Sequence, residues 1–236
     1  MRTRIAVLAS GSGSNLGALL AHLDALGEGR HADIAAVIAD RPAARALHRA
    51  RERGIPTYVL DDPADGLALG QRLDEAGAQL VVLAGYLRLV PAPIVARFRG
   101  RILNVHPALL PAFGGPGMYG IRIHRAVLDA GVRVSGVTVH FVDEQYDRGP
   151  IAAQWPVPVL EDDTPERLAA RVLRVEHALF PRVIEGVAAG TIALGAEGRV
   201  RGAATLDDGA SFVLAGRADQ TLGSNIAHAL RSASHR

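Results

Sequence analysis

Two hydrophobic rhythms alternate along this chain. Short uninterrupted apolar runs, Ile5-Ala6-Val7-Leu8, the stretch from Ile34 to Ile38 and Leu80-Val81-Val82-Leu83-Ala84, have the length of strands covered on both faces. Between them apolar residues recur at helical spacing, as in Leu16, Leu19, Leu20 and Leu23. The same reading predicts helices over 43–53, 67–76, 93–98 and 118–130, and strands over 55–60, 102–106 and 133–142. Ile151 to Val159 is extended and belongs at a sheet edge, because Pro156 and Pro158 cannot donate to a ladder. Thr164 before Pro165 is a cap followed by a first-turn proline. It opens a helix to about Val183 with the stripe Leu168, Val172, Val175, Leu179 and Val183. A small hairpin about Gly195 and Gly198 follows, then a short helix over 222–230 and a loose end. Strand and helix in alternation predict an α/β fold, a Rossmann-like and mostly parallel sheet with helices on both faces.

Composition narrows the function classes. The 236 residues suffice for one large domain, and 49% hydrophobic content supports a sizeable core. Cysteine is absent, which excludes disulfides and thiolate metal sites. No stretch approaches a membrane span, and the first strand begins too early for a signal peptide, so a cytoplasmic protein without a membrane partner is expected. The net charge of +2 is spread without a basic track, so no nucleic acid is expected. Lysine is absent, every basic residue other than histidine being arginine, which rules out a Schiff base or a Walker lysine.

Candidate chemistry gathers where the predicted strands end. Ser10-Gly11-Ser12-Gly13-Ser14-Asn15 joins the first strand to the first helix, the layout of a phosphate-binding turn; a plain βα turn capped by Ser or Asn is the alternative. The dinucleotide fingerprint is incomplete, since its third glycine would fall at Leu16. Asp40, after the second strand, could meet a ribose or cap the next helix. Gly85 to Val90 leaves the fourth strand, and Leu87, Leu89 and Val90 either line an apolar pocket or pack a helix; Arg88 meets an internal or a ligand carboxylate. Asn104 and His106 lie two apart on the next strand and so share a face. The glycine-rich loop from Pro111 to Gly117 is a lid or a rigid turn. His124 reads as a surface or packing residue, and His140 as a core or supporting one. Ser135, Val137, Val139 and Phe141 form one face of their strand, and Val134, Gly136, Thr138 and His140 the other. Of the carboxylates after that strand, Asp147 would complete an acid/base constellation with Asn104 and His106.

In register and in order, these segments make the chain resemble the phosphoribosylglycinamide formyltransferase family. The resemblance rests on Ser10 to Asn15, Asn104-Val105-His106-Pro107-Ala108-Leu109-Leu110-Pro111, His140-Phe141-Val142 with Asp147-Arg148-Gly149-Pro150, and Arg174-Val175-Glu176-His177 with Pro181. It covers residues 1–205, a formyltransferase domain, leaving 206–236 as a partly flexible C-terminal extension. It implies formyl transfer from 10-formyltetrahydrofolate, a co-substrate, to the primary amine of glycinamide ribonucleotide in purine synthesis, with no metal. It implies Asn104, His106 and Asp147 as catalytic residues, His106 being charged beside Asp147. Gly13, Ser14, Asn15, Pro107 and Glu176 would hold the amine substrate, and Leu87, Arg88, Val90, Val142, Glu144 and Asp147 the folate. Small molecules are the expected partners; a homodimer stays open. The rivals are another 10-formyltetrahydrofolate transferase or hydrolase and a non-catalytic phosphate-binding module. The 112–123 segment looks longer than in the commonest members, so contacts made there in relatives are not carried over.

Overall fold

A computed structural model of the chain describes residues 1–202. The expected helix over 222–230 and the 206–236 extension lie outside those residues. Seven strands form the main sheet: β1 (Thr3–Ala9), β2 (Ala32–Ala39), β3 (Thr57–Val59), β4 (Leu80–Leu83), β5 (Ile102–His106), β6 (Val134–Phe141) and β7 (Ile151–Pro158). Their spatial order is β3-β2-β1-β4-β5-β6-β7. The first five run parallel, while β6 lies antiparallel to β5 and β7 antiparallel to β6. The parallel rule read from the alternation therefore stops at β5, and β6 and β7 close the sheet as a hairpin. Proline-bearing β7 sits at the edge, as expected.

Six helices connect and cover the sheet: α1 (Ser14–Leu26), α2 (Arg45–Arg51), α3 (Gly66–Glu75), α4 (Ala92–Arg97), α5 (Ile121–Asp129) and α6 (Pro165–Ala188). Successive β1 residues face opposite ways. Ile5, Val7 and Ala9 join Leu16, Leu19, Leu47, Val172, Leu179 and Phe180 in the larger core under α1, α2, α5 and α6. Ala6 and Leu8 join Leu69, Leu73, Ile94 and Phe98 in the smaller core under α3 and α4. Each fully buried Leu, Ile or Phe contributes roughly 1.5–3 kcal/mol of transfer free energy. That is why apolar content on both sheet faces decides the layering.

The helix ends follow local chemistry. Thr164 caps α6, its hydroxyl accepting from Arg167 N–H, with Pro165 in the first turn. Asp65 caps α3 by accepting from the Leu67 and Ala68 N–H groups. The expected helix from Met118 begins only at Ile121, because Gly115, Gly117 and Gly120 hold φ of 100°, 82° and 56°, outside helical geometry. α6 runs past Val183 to Ala188, since Ile184 is fully buried and Val187 packs on the core. Ala193–Leu194 pairs with Val200–Arg201 as the small hairpin expected about Gly198. Among the described residues no helix is long and apolar enough to cross a membrane.

Candidate active site

The order of the sheet reverses at β1, which pairs with β2 on one side and β4 on the other. Ligands bind outside the carboxyl ends of strands at such a reversal. A cavity of about 620 Å3 opens there, bounded by the loop after β1, the segment after β4, the end of β5, the β6–β7 turn and α6.

The loop after β1 turns into α1 through Gly13, which sits at φ 69° with no side-chain cap; the alternative of a Ser or Asn cap is not what the structure adopts. A Cβ at Gly13 would stand 2.7 Å from the Ala46 Cα, so only glycine lets α2 pack this closely. The helix-start N–H groups are thus left unmasked by any side chain. Ser14 and Asn15 line the cavity. Asn15 is buried and donates Nδ2–H to Glu176 Oε2 at 2.7 Å, while its Oδ1 has no partner. Burial raises the Glu176 carboxyl above its usual range, against the opposing Asn15 hydrogen bond. The two side chains thus offer neighbouring acceptors on the cavity wall.

Asn104 and His106 do share a face of β5, and the antiparallel register sets His140 beside Asn104 and Thr138 beside His106. Asn104 Nδ2 lies 3.1 Å from His140 Nε2 and 3.5 Å from Asp147 Oδ1. His140 Nδ1–H donates to the Phe141 carbonyl at 3.0 Å, which turns its Nε2 toward the Asn104 amide and the Asp147 carboxylate. The Thr138 hydroxyl donates to Ala108 O at 2.7 Å and accepts from Leu110 N–H at 3.0 Å, pinning the chain just past His106.

Asp147 has φ 55° and brings its carboxylate between the two imidazoles, 3.5 Å from His106 Nδ1 and 3.6 Å from His140 Nε2. Burial pushes its pKa up, but the His140 side chain, the Gly115 N–H and, when it carries charge, the His106 ring outweigh burial and hold it below the ordinary carboxylate range. His106 departs from expectation. Burial is the largest influence on its ring and lowers its pKa, outweighing Asp147 and the Phe113 carbonyl. The imidazole therefore favours its neutral form, with Nε2–H donating to Phe113 O at 2.8 Å. A separation of 3.5 Å from Asp147 is too long for the strong charge-assisted bond that would reverse this.

The glycine-rich loop is built into the site. Phe113 supplies the carbonyl on His106, and Gly115 N–H donates to Asp147 Oδ2 at 2.9 Å. A Cβ at Gly114 would stand 2.5 Å from Leu110 Cδ2 and 3.1 Å from Asp147 Cβ, which accounts for the glycine pair. His124 is buried at 4% exposure; it lines the cavity, its Nδ1 has no partner, and burial with His106 nearby lowers its pKa to about 4.

Gly85, Leu87, Arg88 and Val90 line the cavity on the β4 side, with Val142 across from them. Arg88 pairs with Asp40, Nε to Oδ2 at 3.1 Å. Arg41 holds the same carboxylate at 2.7 Å, so Asp40 neither caps α2, whose cap position is Ala44, nor stands free for a ribose. Pro107 and Tyr86 complete the wall, and burial pushes the Tyr86 hydroxyl up to about 12.

The structure thus gathers Asn104, His106, Asp147, Ser14, Asn15, Pro107, Glu176, Leu87, Arg88, Val90 and Val142 on one cavity. Glu144 is not brought in. It is exposed and off the wall, because Asp143 Oδ1 accepts from Gln145 N–H and the turn throws the intervening side chain outward. Gly13 lies just behind the wall that Ser14 forms. The sequence reading has His124 as a surface or packing residue and gives Thr138 no role, while His140 is buried and hydrogen-bonded beside Asn104, within the core or supporting role read for it. The only signal for Thr138 is its two-residue spacing from His140 on the strand. Among the described residues no group of three His, Cys, Asp or Glu is placed to hold a metal.

The formyl transferase family model matches residues 3–184. The chloroplastic phosphoribosylglycinamide formyltransferase of Arabidopsis thaliana is 44% identical over 193 residues, 79% of this chain and 65% of that protein. The trifunctional purine biosynthetic protein adenosine-3 of Bos taurus is 42% identical over 84% of this chain and 20% of its own length. The chain thus spans under two thirds of these curated relatives. The crystal structure of glycinamide ribonucleotide transformylase 1 from Symbiobacterium toebii superposes with a TM-score of 0.76 at 44% identity, covering 86% of this chain and 95% of that one.

Proposed function

We propose, from the premise that this chain belongs to the formyl transferase family, that it moves a formyl group from 10-formyltetrahydrofolate to the primary amine of glycinamide ribonucleotide. The observation that carries the reading is the juxtaposition of Asn104, His106 and Asp147 on one cavity with an uncapped helix N-terminus at the other end. The α1 end suits a phosphate. The buried Asn15–Glu176 pair suits ribose hydroxyls. Leu87, Leu89 and Val90 suit a flat heterocycle, with Val142 opposite.

The chemistry follows from where charge develops. The amine attacks the formyl carbon, and the carbonyl oxygen becomes an oxyanion. Asn104, its amide held by His140, donates one N–H to that oxygen. A neutral His106 serves as the second donor through Nε2–H, exchanging the Phe113 carbonyl for the oxyanion. In this reading no imidazolium is required, unlike the charged His106 that the sequence resemblance implies. Asp147, held ionised by its surroundings, takes the proton of the attacking amine directly or through water. The proton then goes to the folate nitrogen as the carbon–nitrogen bond to it breaks.

The test is release of tetrahydrofolate from the formyl donor, followed by absorbance with and without glycinamide ribonucleotide. Release that depends on the amine is expected. Equal release with water alone identifies a hydrolase and removes this reading.

A further inference from the structure

The Asp40 carboxylate has no part in the proposed chemistry, yet its side chain is entirely sealed from solvent on a surface loop. Three groups converge on it. Arg41 Nε and NH2 chelate it at 3.0 and 2.7 Å. Arg88 Nε donates at 3.1 Å, and the Ser10 hydroxyl lies near enough to help keep the carboxylate ionised. Ser10 in turn accepts from Leu87 N–H on its Oγ at 2.9 Å and donates its own N–H to Gly85 O at 3.1 Å.

These bonds add to the packing of Tyr86 and Val90, which sit in the smaller core, in holding segment 85–90. Residues 85–90 belong to no helix or strand. Leu87 and Leu89 are 47% and 45% exposed, so packing holds them weakly. Among the described residues, each hydrogen bond tying this segment to the fold ends on Ser10 or Asp40. A carboxylate beside the Ser10 hydroxyl draws its hydrogen and so turns its lone pairs toward the Leu87 N–H they hold.

We propose that Asp40 is a positioning residue that, through Ser10 and Arg88, sets the backbone of 85–90 and so the affinity of this wall for the folate. This rests on the reading above of that wall as the folate side. The amine end stands on α1 and α6, so the effect falls on one ligand. Ser10 also opens the loop that leads into α1, but its hydroxyl faces the β4 side.

The experiment measures dissociation constants of the full chain for a folate analogue that cannot transfer its formyl group, and for glycinamide ribonucleotide, by titration calorimetry. The proteins are wild type, Asp40→Ala, Asp40→Asn and Ser10→Ala. Asp40→Ala is expected to weaken folate binding about tenfold or more, the effect of losing charge-assisted hydrogen bonds. Ser10→Ala and Asp40→Asn, which keeps an acceptor oxygen but not the charge, both fall between it and wild type. Amine-substrate affinity stays within about twofold throughout. Folate affinity within about twofold of wild type in folded Asp40→Ala, or equal weakening of both ligands, overturns the proposal. Should Asp40→Ala not fold, undiminished folate affinity in Ser10→Ala overturns it alone. A wild-type protein that binds no folate overturns the functional reading, and this inference with it.

Discussion

His124 makes the stability of this fold depend on pH in a direction and amount that can be worked out. Its ring is 4% exposed with an unpartnered Nδ1, so burial disfavours a charge there, as does a second imidazole, His106, nearby. The pKa is accordingly lowered from 6.5 to about 4. As pH falls below 6.5 the unfolded chain takes up this proton first, so stability drops with falling pH and levels off only near 4. At pH 5 the unfolded chain is favoured by about 2 kcal/mol through this group alone, relative to pH 7. His124→Leu removes the titration while keeping a side chain of apolar bulk. Urea unfolding of both proteins at pH 7 and pH 5 isolates the term, because every other titrating group is common to the two. The difference in unfolding free energy should move by about 2 kcal/mol in favour of the leucine variant at pH 5. Parallel pH profiles would refute the burial of a neutral His124.

Three further outcomes follow from particular contacts. Asp147→Asn and His106→Ala should each lower kcat by about 10² or more, with melting temperatures close to wild type, in steady-state formyl transfer. Gly149→Ala should destabilise by about 3 kcal/mol or more in thermal melts, because its Cβ would stand 1.8 Å from the Phe141 carbonyl oxygen where β6 hands over to the Asp147 turn. Asp163 is 1% exposed, receives Arg171 through both guanidinium nitrogens and accepts from Leu160 N–H at 2.8 Å. Asp163→Ala should cost about 1–3 kcal/mol in urea unfolding, since Arg171 keeps only its bond to Pro158 O and Leu160 N–H loses its acceptor.

Much of the site could be read from local pattern. Gly13 to Asn15 and Asn104 with His106 stand at strand ends, where strand spacing and glycine placement are short-range properties. Three things were not legible, each for a non-local reason. The direction of β6 depends on how the chain returns after α5, and with it went the pairing of His140 with Asn104 and of Thr138 with His106. The state of His106 depends on how deeply β5 is buried, which one residue's neighbours in sequence do not report. Asp40 looked like a helix cap because its partners are Arg88 and Ser10, residues 48 and 30 positions away in sequence, as well as its neighbour Arg41.

The most direct test follows the formyl carbon itself. With 10-formyltetrahydrofolate labelled in the formyl group, glycinamide ribonucleotide and a single turnover of the enzyme, the label should appear in formylglycinamide ribonucleotide. In a parallel reaction with Asp147→Asn it should stay on the folate over the same interval. Label recovered as formate, or carried to the amine as fast by Asp147→Asn as by wild type, would contradict formyl transfer at the Asn104, His106 and Asp147 site.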